Sequence, residues 1–288
     1  MRISCSRAQV ISSCGKQYQY RYEDHLQSVA LSFPLFFGRV VDDAVSGYVH
    51  AHALGHDFDI LKSYEEAFDE QLPRNQIRYP QHWDADVARE TGRILCDQFP
   101  DVWEQSNLVA VVDKHGAPIV QRRLIVPLPD GHELECVIDF VVMSTMSGDV
   151  AVLDLKTTSC PLTPESPFGP NALQLTAYQY AVDHMLSDYM GPVSNVGFME
   201  AVRRKPPKTA KGQGPTVHSP LFFPRRTDAQ IKDMISTFLW SIRDISGRRF
   251  HRPTNNAFNA PCDMCDFSRL CVHGDMQGIT KRPQRRVS

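Results

Sequence analysis

The arrangement of apolar and polar positions changes character several times along the 288 residues. Residues 36–70 carry apolar side chains at helical spacing, at Val40, Val41, Ala44 and Val49 and then at Ile60, Leu61 and Phe68. This spacing predicts a long helical segment that Gly55 can split. Residues 84–99 open on Asp84, a side chain suited to capping an N-terminus, and read as a second helix. The period then shortens. Residues 108–113, 120–127, 133–143 and 149–157 are rich in Val, Ile and Leu with partial alternation, and turn formers separate them: His115-Gly116, Pro129-Asp130-Gly131 and Ser147-Gly148. Such runs predict successive strands, most simply antiparallel. A loop with Pro161, Pro164, Pro167 and Pro170 leads to a helix at about 171–189 and a strand at 193–203. After a basic loop comes an amphipathic helix at 227–247, with Ile231, Met234, Ile235, Phe238, Leu239 and Ile242 on its apolar face. Helices, strands, helix, strand, helix is the order of a mixed α/β fold, a central sheet with helices packed on it. With no internal repeat and no linker, residues 1–275 are expected to form a single domain, and residues 276–288 a basic, flexible tail.

Composition adds exclusions. Apolar residues make up 42% and charged residues 22%, which excludes a chain disordered throughout. No apolar run approaches the ~20 residues of a membrane-spanning helix; the longest candidate, Val29–Phe37, is broken by Pro34. The first residues lack the apolar core of a secretory signal, so an intracellular, cytoplasmic protein with no membrane partner is expected. A net charge of -2 points to no polyanionic partner, but its distribution does. Residues 201–226 carry seven Lys or Arg and no acid, and the last eight residues carry four more. Basic segments of this kind attract phosphates or are simply solvated loops. Arg203, Arg204, Lys205, Lys208 and Lys211 are therefore candidate nucleic-acid contacts.

The chemistry concentrates in the strands. In VAVLDLKTT, Asp154 and Lys156 are two residues apart and project from the same face, with the Leu155 carbonyl between them. In CVIDFVV, Asp139 interrupts an apolar strand, where a carboxylate is costly unless paired or bound to a cation. Two converging strand carboxylates suit Mg²⁺ or Mn²⁺, and a lysine beside them can orient a water or offset phosphate charge. A surface salt bridge is the plainer reading of Asp-x-Lys alone. Gln174 and Tyr178 are i and i+4 on the following helix and share one face, either that of a site or an ordinary half-buried one.

The set Asp139, Asp154-Leu155-Lys156-Thr157 and Gln174-x-x-x-Tyr178 resembles the RecB-type branch of the PD-(D/E)xK nucleases along nearly the whole chain. The resemblance implies a restriction-endonuclease-like core. It implies metal binding by Asp139, Asp154 and the Leu155 carbonyl, work by Lys156 on the attacking water and the scissile phosphate, and substrate positioning by Gln174 and Tyr178. Two departures stand out. Where the family has Gly-x-x-x-His this chain reads Gly38-Arg-Val-Val-Asp42, so Asp42 takes the histidine's place as a ligand, with His50, His52 and His56 as substitutes downstream. Cys136 stands where the family often has a glycine, three residues before the strand aspartate.

The eight cysteines include the cluster Cys262-x2-Cys265-x5-Cys271. Three thiolates ask for a fourth ligand. His273 would complete a zinc site and a cysteine an iron–sulfur site; buried free thiols are the remaining reading. Ser-x-Ser-x7-Cys-x3-Tyr-x-Tyr-x-Tyr, from Ser4 to Tyr22, looks like the N-terminal segment of the iron–sulfur nucleases, which include AddB-type helicase–nucleases and the CRISPR-associated single-strand exonucleases. That resemblance implies a 4Fe–4S cluster on Cys14, Cys262, Cys265 and Cys271, clipping the two ends of the chain together. Cys5 reads as a bystander, and Cys96, Cys136 and Cys160 as packing residues. Tyr18, Tyr20, Arg21 and Tyr22 fit base stacking or packing beside the cluster equally well.

The function expected from all this is metal-dependent exonucleolytic hydrolysis of single-stranded or end-exposed DNA in recombination, repair or phage-type DNA processing. No Walker motif is present, so unwinding would fall to a helicase or recombination partner. The alternative is a non-catalytic nucleic-acid-binding or assembly subunit on the same fold.

Overall fold

The computed structural model describes residues 1–209, 211–253, 262 and 265–282. The chain opens with strand β1 (Arg2–Ser4), helices α1 (Cys5–Ser13) and α2 (Gly15–Tyr18), and the short strands β2 (Leu26–Ser28) and β3 (Ala30–Ser32). Then come α3 (Phe33–Ala53), α4 (Ile60–Gln71), β4 (Gln76–Arg78) and α5 (Ala85–Gln105). The strand region is β5 (Leu108–Ala110), β6 (Val120–Leu128), β7 (His132–Ser144) and β8 (Val150–Thr158). It is followed by α6 (Phe168–Asn171), α7 (Leu173–Met190), β9 (Asn195–Val202), β10 (Thr216–Val217) and β11 (Leu221–Pro224). The described chain ends with α8 (Asp228–Ser246), α9 (Ser268–His273) and β12 (Ile279–Lys281).

Local chemistry explains most boundaries. The segment expected at 36–70 is two helices, because Gly55 adopts φ 68°, a left-handed conformation that ends α3. Asp59 and Asp84 cap α4 and α5, accepting hydrogen bonds from the Lys62 and Val87 amides. Helix α5 runs six residues past its expected end, through Pro100, and so buries both Phe99 and Trp103. Burial of a large side chain contributes roughly 1.5–3 kcal/mol, which offsets much of the proline's cost.

The main sheet, among the described residues, runs β1-β7-β8-β9-β10, with β5 and β6 also on β7 and β11 also on β9. It is mixed rather than wholly antiparallel. The chain from β6 through β7 to β8 pairs antiparallel, whereas β1 joins β7 and β8 joins β9 in parallel. The parallel β8–β9 pair follows from the long crossover through α7. Strand β8 is apolar on both faces, as expected of a central strand covered by helices on both sides. One core packs Ile11, Leu175, Val182 and Phe238 against the sheet beneath α1, α7 and α8. The other packs Phe36, Val40, Phe68 and Trp103 beneath α3, α4 and α5.

Two expectations change. The basic loop contains the short strands β10 and β11, both on β9. The expected flexible tail begins as structure, since Ile279–Lys281 pair antiparallel with Leu26–Ser28; residues 283–288 lie outside the described residues. No helix among the described residues is long and apolar enough to cross a membrane.

Candidate active site

The acidic site forms where two strands part. β7 and β8 are paired as far as Phe140 opposite Leu153, so the next positions in register are Asp139 and Asp154. Beyond them β7 turns to β1. The sidedness of β7 reverses at this point: Leu134, Cys136 and Ile138 face one core, and Phe140 and Val142 the other. Gln121 lies across β6 from Asp139, between the pairs Val120–Phe140 and Arg122–Ile138, and has φ 48°. The break in the ladder leaves the Leu155 amide without a strand partner, and Asp139 Oδ2 accepts its hydrogen bond at 2.9 Å.

Asp154 and Lys156 project together, as the two-residue period requires. Lys156 Nζ lies 2.5 Å from Asp154 Oδ2 and donates to Gln174 Oε1 at 3.1 Å. Gln174 Nε2 in turn reaches the Tyr178 hydroxyl at 2.7 Å. Lys156, Gln174 and Tyr178 thus form one chain from β8 to α7, on the face where the spacing put them. The loop before α7 is tied down by the buried Glu200 of β9, whose carboxylate accepts from the Leu162 amide at 2.9 Å.

Asp42 arrives from the opposite side of the sheet. At Gly38, one turn earlier on α3, a Cβ would stand 3.1 Å from Thr157 Oγ1, so the glycine lets α3 lie close on β8. Gln121 Nε2 donates to both Asp42 oxygens at 3.1 Å, and Ser46 Oγ donates to Oδ1 at 3.4 Å. Nothing in the sequence pattern marked Gln121; its signal is the positive φ, visible only in the fold. Asp42, Asp139, Leu155, Lys156, Gly38 and Arg39 line one cavity of about 320 Å³. Asp154 lies beneath it and is wholly buried.

The electrostatics are those of crowded acids. Burial first, and then the charges of Asp154 and Asp42, hold the Asp139 carboxyl far above its ordinary range. Burial raises Asp154, with Lys156 opposing it. Burial also pushes Asp42 up to about 6, helped by Asp43 and Asp154. Asp154 Oδ1 has no hydrogen-bond partner among the described residues, and Oδ2 faces the Lys156 ammonium. A buried carboxylate oxygen left unsatisfied beside two more acids is what a hard divalent cation relieves, so the donor set fits Mg²⁺ or Mn²⁺. Asp42, Asp139, Asp154 and the Leu155 carbonyl are the residues that would hold it. As the side chains stand, no group of three or more His, Cys, Asp and Glu among the described residues is arranged around a metal position. Mg²⁺ keeps several of its waters and needs only one or two carboxylates directly.

The histidines His50, His52 and His56 lie beyond the site, at the far end of α3 and in the loop after it. Cys14, Cys262, Cys265 and Cys271 line a second cavity, of about 140 Å³, together with Lys16, Tyr20 and Arg252. Four thiols in one apolar pocket fit the donor chemistry of either a 4Fe–4S cluster or tetrahedral zinc. His273 is exposed and does not line this cavity, so Cys14 is the fourth sulfur the fold supplies. Cys5 packs against Cys136, whose thiol is pushed up by that neighbour and by burial; Cys96 is buried and Cys160 is exposed. Of the aromatic run, Tyr18 is core, Tyr20 packs at a tilt against Phe267, and Arg21 and Tyr22 border a third cavity.

The basic segment divides. Arg203 lies over the Phe33 and Phe37 rings at 5.4 and 5.9 Å, and burial lowers its pKa. Lys205 lies 5.9 Å over Trp83, and Arg226 is buried, donating to the Gly169 carbonyl at 2.6 Å. Arg204 is partly buried, and Lys208 and Lys211 are exposed.

An acid on a strand edge, an Asp-x-Lys on the neighbouring strand and helices closing over both are the working parts of a phosphodiesterase core. The chain belongs to the PD-(D/E)XK nuclease superfamily, whose pattern it matches over residues 2–272. Its mixed sheet with flanking helices is consistent with the restriction-endonuclease-like core of that superfamily, and membership points to a metal-dependent nuclease. No curated protein matches the sequence. Among solved structures, the crystal structure of SSO0001 is similar at 12% identity and a TM-score of 0.37, over 85% of this chain and 87% of that one. At that distance the likeness carries no argument.

Proposed function

We propose that this nuclease is a DNA exonuclease acting on single-stranded or end-exposed DNA, with Asp42, Asp139, Asp154 and the Leu155 carbonyl as its metal ligands. The observation that carries the reading is the convergence of Asp42, Asp139 and Lys156 on one open cavity, with the buried Asp154 beneath it paired to Lys156 through one oxygen and unsatisfied at the other. A divalent ion held there would supply Lewis acidity to a phosphodiester. The chain's own part is positioning. An ammonium has three donors; on Lys156 one faces Asp154 and one Gln174, leaving the third for a phosphate oxygen or the attacking water. Gln174 and Tyr178 hold that ammonium in place. Asp42 stands in for the histidine of the RecB-type branch and brings a hard oxygen donor.

A 4Fe–4S cluster on Cys14, Cys262, Cys265 and Cys271 belongs to the same proposal, supported by the cavity these cysteines share. Exonuclease action in recombination, repair or phage-type DNA processing rests on the sequence resemblance. The expected helicase or recombination partner has no support in the fold, and the proposal does without it.

The test is cleavage of end-labelled single-stranded and duplex DNA by anaerobically purified protein in Mg²⁺, Mn²⁺ or EDTA, with Lys156→Ala alongside and iron measured per chain. Metal-dependent degradation from an end, absent in the variant, is expected. A folded, iron-loaded protein that binds DNA and cuts none would instead be the non-catalytic subunit, with Asp42 the first residue to restore to histidine.

A further inference from the structure

Beside the acidic cavity lies a larger one, of about 570 Å³, whose wall is basic. Arg21, Arg39, Arg74 and Arg282 line it against a single carboxylate, Asp266. That carboxylate is already engaged: Arg78 holds it at 2.8 Å and Arg21 lies at 3.9 Å. Arg74 pairs with Glu70 on its own outer side, an exposed contact that a stronger anion can displace. The neutral lining mixes polar side chains, Gln27, Ser28, Ser32, Asn75 and Gln76, with apolar ones such as Leu31 and Leu35.

Two further features aim this cavity at an anion. Ser32 stands at the N-terminus of α3, a helix of 21 residues whose first amides receive no side-chain cap. Its dipole places partial positive charge in the cavity wall, alongside the arginines. The cavity is also continuous with the site, because Leu35 and Arg39 line both. Arg39 is exposed at the junction, one residue after Gly38 and three before Asp42. The opposite wall, Asp266, Phe267 and Arg282, comes from the segment that also carries Cys265 and Cys271.

Resting on the nuclease reading above, we propose that this arginine-lined cavity is the track for the substrate strand's phosphodiester backbone. Consecutive phosphates would run from the acidic cavity past Arg39 to Arg74 and Arg282. The exposed Lys208 and Lys211 of the basic loop do not line this cavity. Arginine suits the task, because its planar guanidinium matches two phosphate oxygens at once.

The test measures affinity of the full, cluster-loaded chain for fluorescein-labelled oligothymidylates of 3 and 12 nucleotides in EDTA, where no cleavage occurs. The variants are Arg74→Glu with Arg282→Glu, and Lys208→Glu with Lys211→Glu; melting curves establish that each is folded. Hydrolysis of bis(p-nitrophenyl) phosphate in Mn²⁺ gives an activity that needs the acids and no track. The arginine variant should weaken the 12-mer at least tenfold and reduce its salt slope by about 1.4, two phosphate contacts at about 0.7 each. The 3-mer should lose little, and hydrolysis of the small ester should persist. On cleavable oligonucleotide the variant should raise KM with little change in kcat.

An unchanged affinity and salt slope would overturn the proposal. So would a loss confined to the lysine variant, or a wild type that binds 3-mer and 12-mer equally, as a single-phosphate pocket does. In each of those cases, continued hydrolysis of the small ester keeps the nuclease reading. If the wild type hydrolyses neither ester nor DNA, the nuclease reading fails as well.

Discussion

Asp42 should make the metal-free protein less stable as pH rises, and the effect can be sized. Its carboxyl titrates at about 6 in the folded chain against 3.8 in the open one, chiefly through burial. A raised carboxyl pKa means the folded state binds the proton more tightly. The stabilisation is therefore fully present below 3.8 and is lost as pH climbs through about 6. Between pH 5 and pH 8 the linkage relation gives a loss of about 1.4 kcal/mol, reduced to about 1 kcal/mol by the residue's partial contact with water. Asp42→Asn keeps an acceptor for Gln121 and removes the titration. It also removes one of the charges that raise Asp139. In thermal melts in EDTA, the wild type should lose about 2 °C more than Asp42→Asn on going from pH 5 to pH 8. With Mg²⁺ the order at pH 8 should reverse, because the cation then stabilises only the complete acid set. A double difference of zero in EDTA, or one of opposite sign, would show that Asp42 is not held among converging acids, and the metal-site reading would lose its third ligand.

Lys156→Ala should reduce cleavage by at least a hundredfold, and because it strips the buried Asp154 of its paired ammonium it should also lower the melting temperature in EDTA; steady-state rates per folded protein beside melting curves separate the two effects. At Mg²⁺ well below saturation, the cleavage rate should rise with pH through about 6, as Asp42 and the likewise raised Asp139 lose their protons; a flat profile from pH 5 to pH 7 would contradict it. Gly38→Val should cost about 1–3 kcal/mol and at least tenfold in rate, because its side chain meets Thr157 and lifts α3 off β8; Gly38→Ala should be much milder. Cys271→Ser should lower iron per chain and the unfolding midpoint together, read by iron assay and melting.

Much of the site was legible because its chemistry is short-range. Asp154 and Lys156 needed only the strand period, and Gln174 and Tyr178 only the helix period, to be placed on common faces. Asp139 stood out as a charge in an apolar run. Gln121 was invisible, because its role comes from a left-handed backbone position opposite a strand that changes face. The arginine cavity was equally hidden. Its four arginines are far apart in sequence and only Arg282 belongs to a basic run, whereas the obvious run at 203–226 spends Arg203 and Arg226 on packing. Sheet order was legible only in part. Turn residues announced the antiparallel hairpins, but the parallel additions of β1 and β9 depend on long-range packing that no local pattern encodes. Pro100 misled, because a proline's local cost was outweighed by burial of Trp103 one turn later.

The antiparallel pairing of β2 with β12 has a consequence for a chain made from one end. Residues 26–28 emerge from the ribosome and wait for residues 279–281, about 250 positions later. At a synthesis rate of about 5–20 residues per second that is a delay of roughly 10 to 50 s. During it the acids on α3, β7 and β8 can already assemble, but Asp266, Phe267 and Arg282 do not yet exist. A nascent chain thus has its clustered acids before it has the far wall of the cavity beside them. The order of translation would keep a hydrolase of nucleic acid from gripping a strand until its last segment is in place.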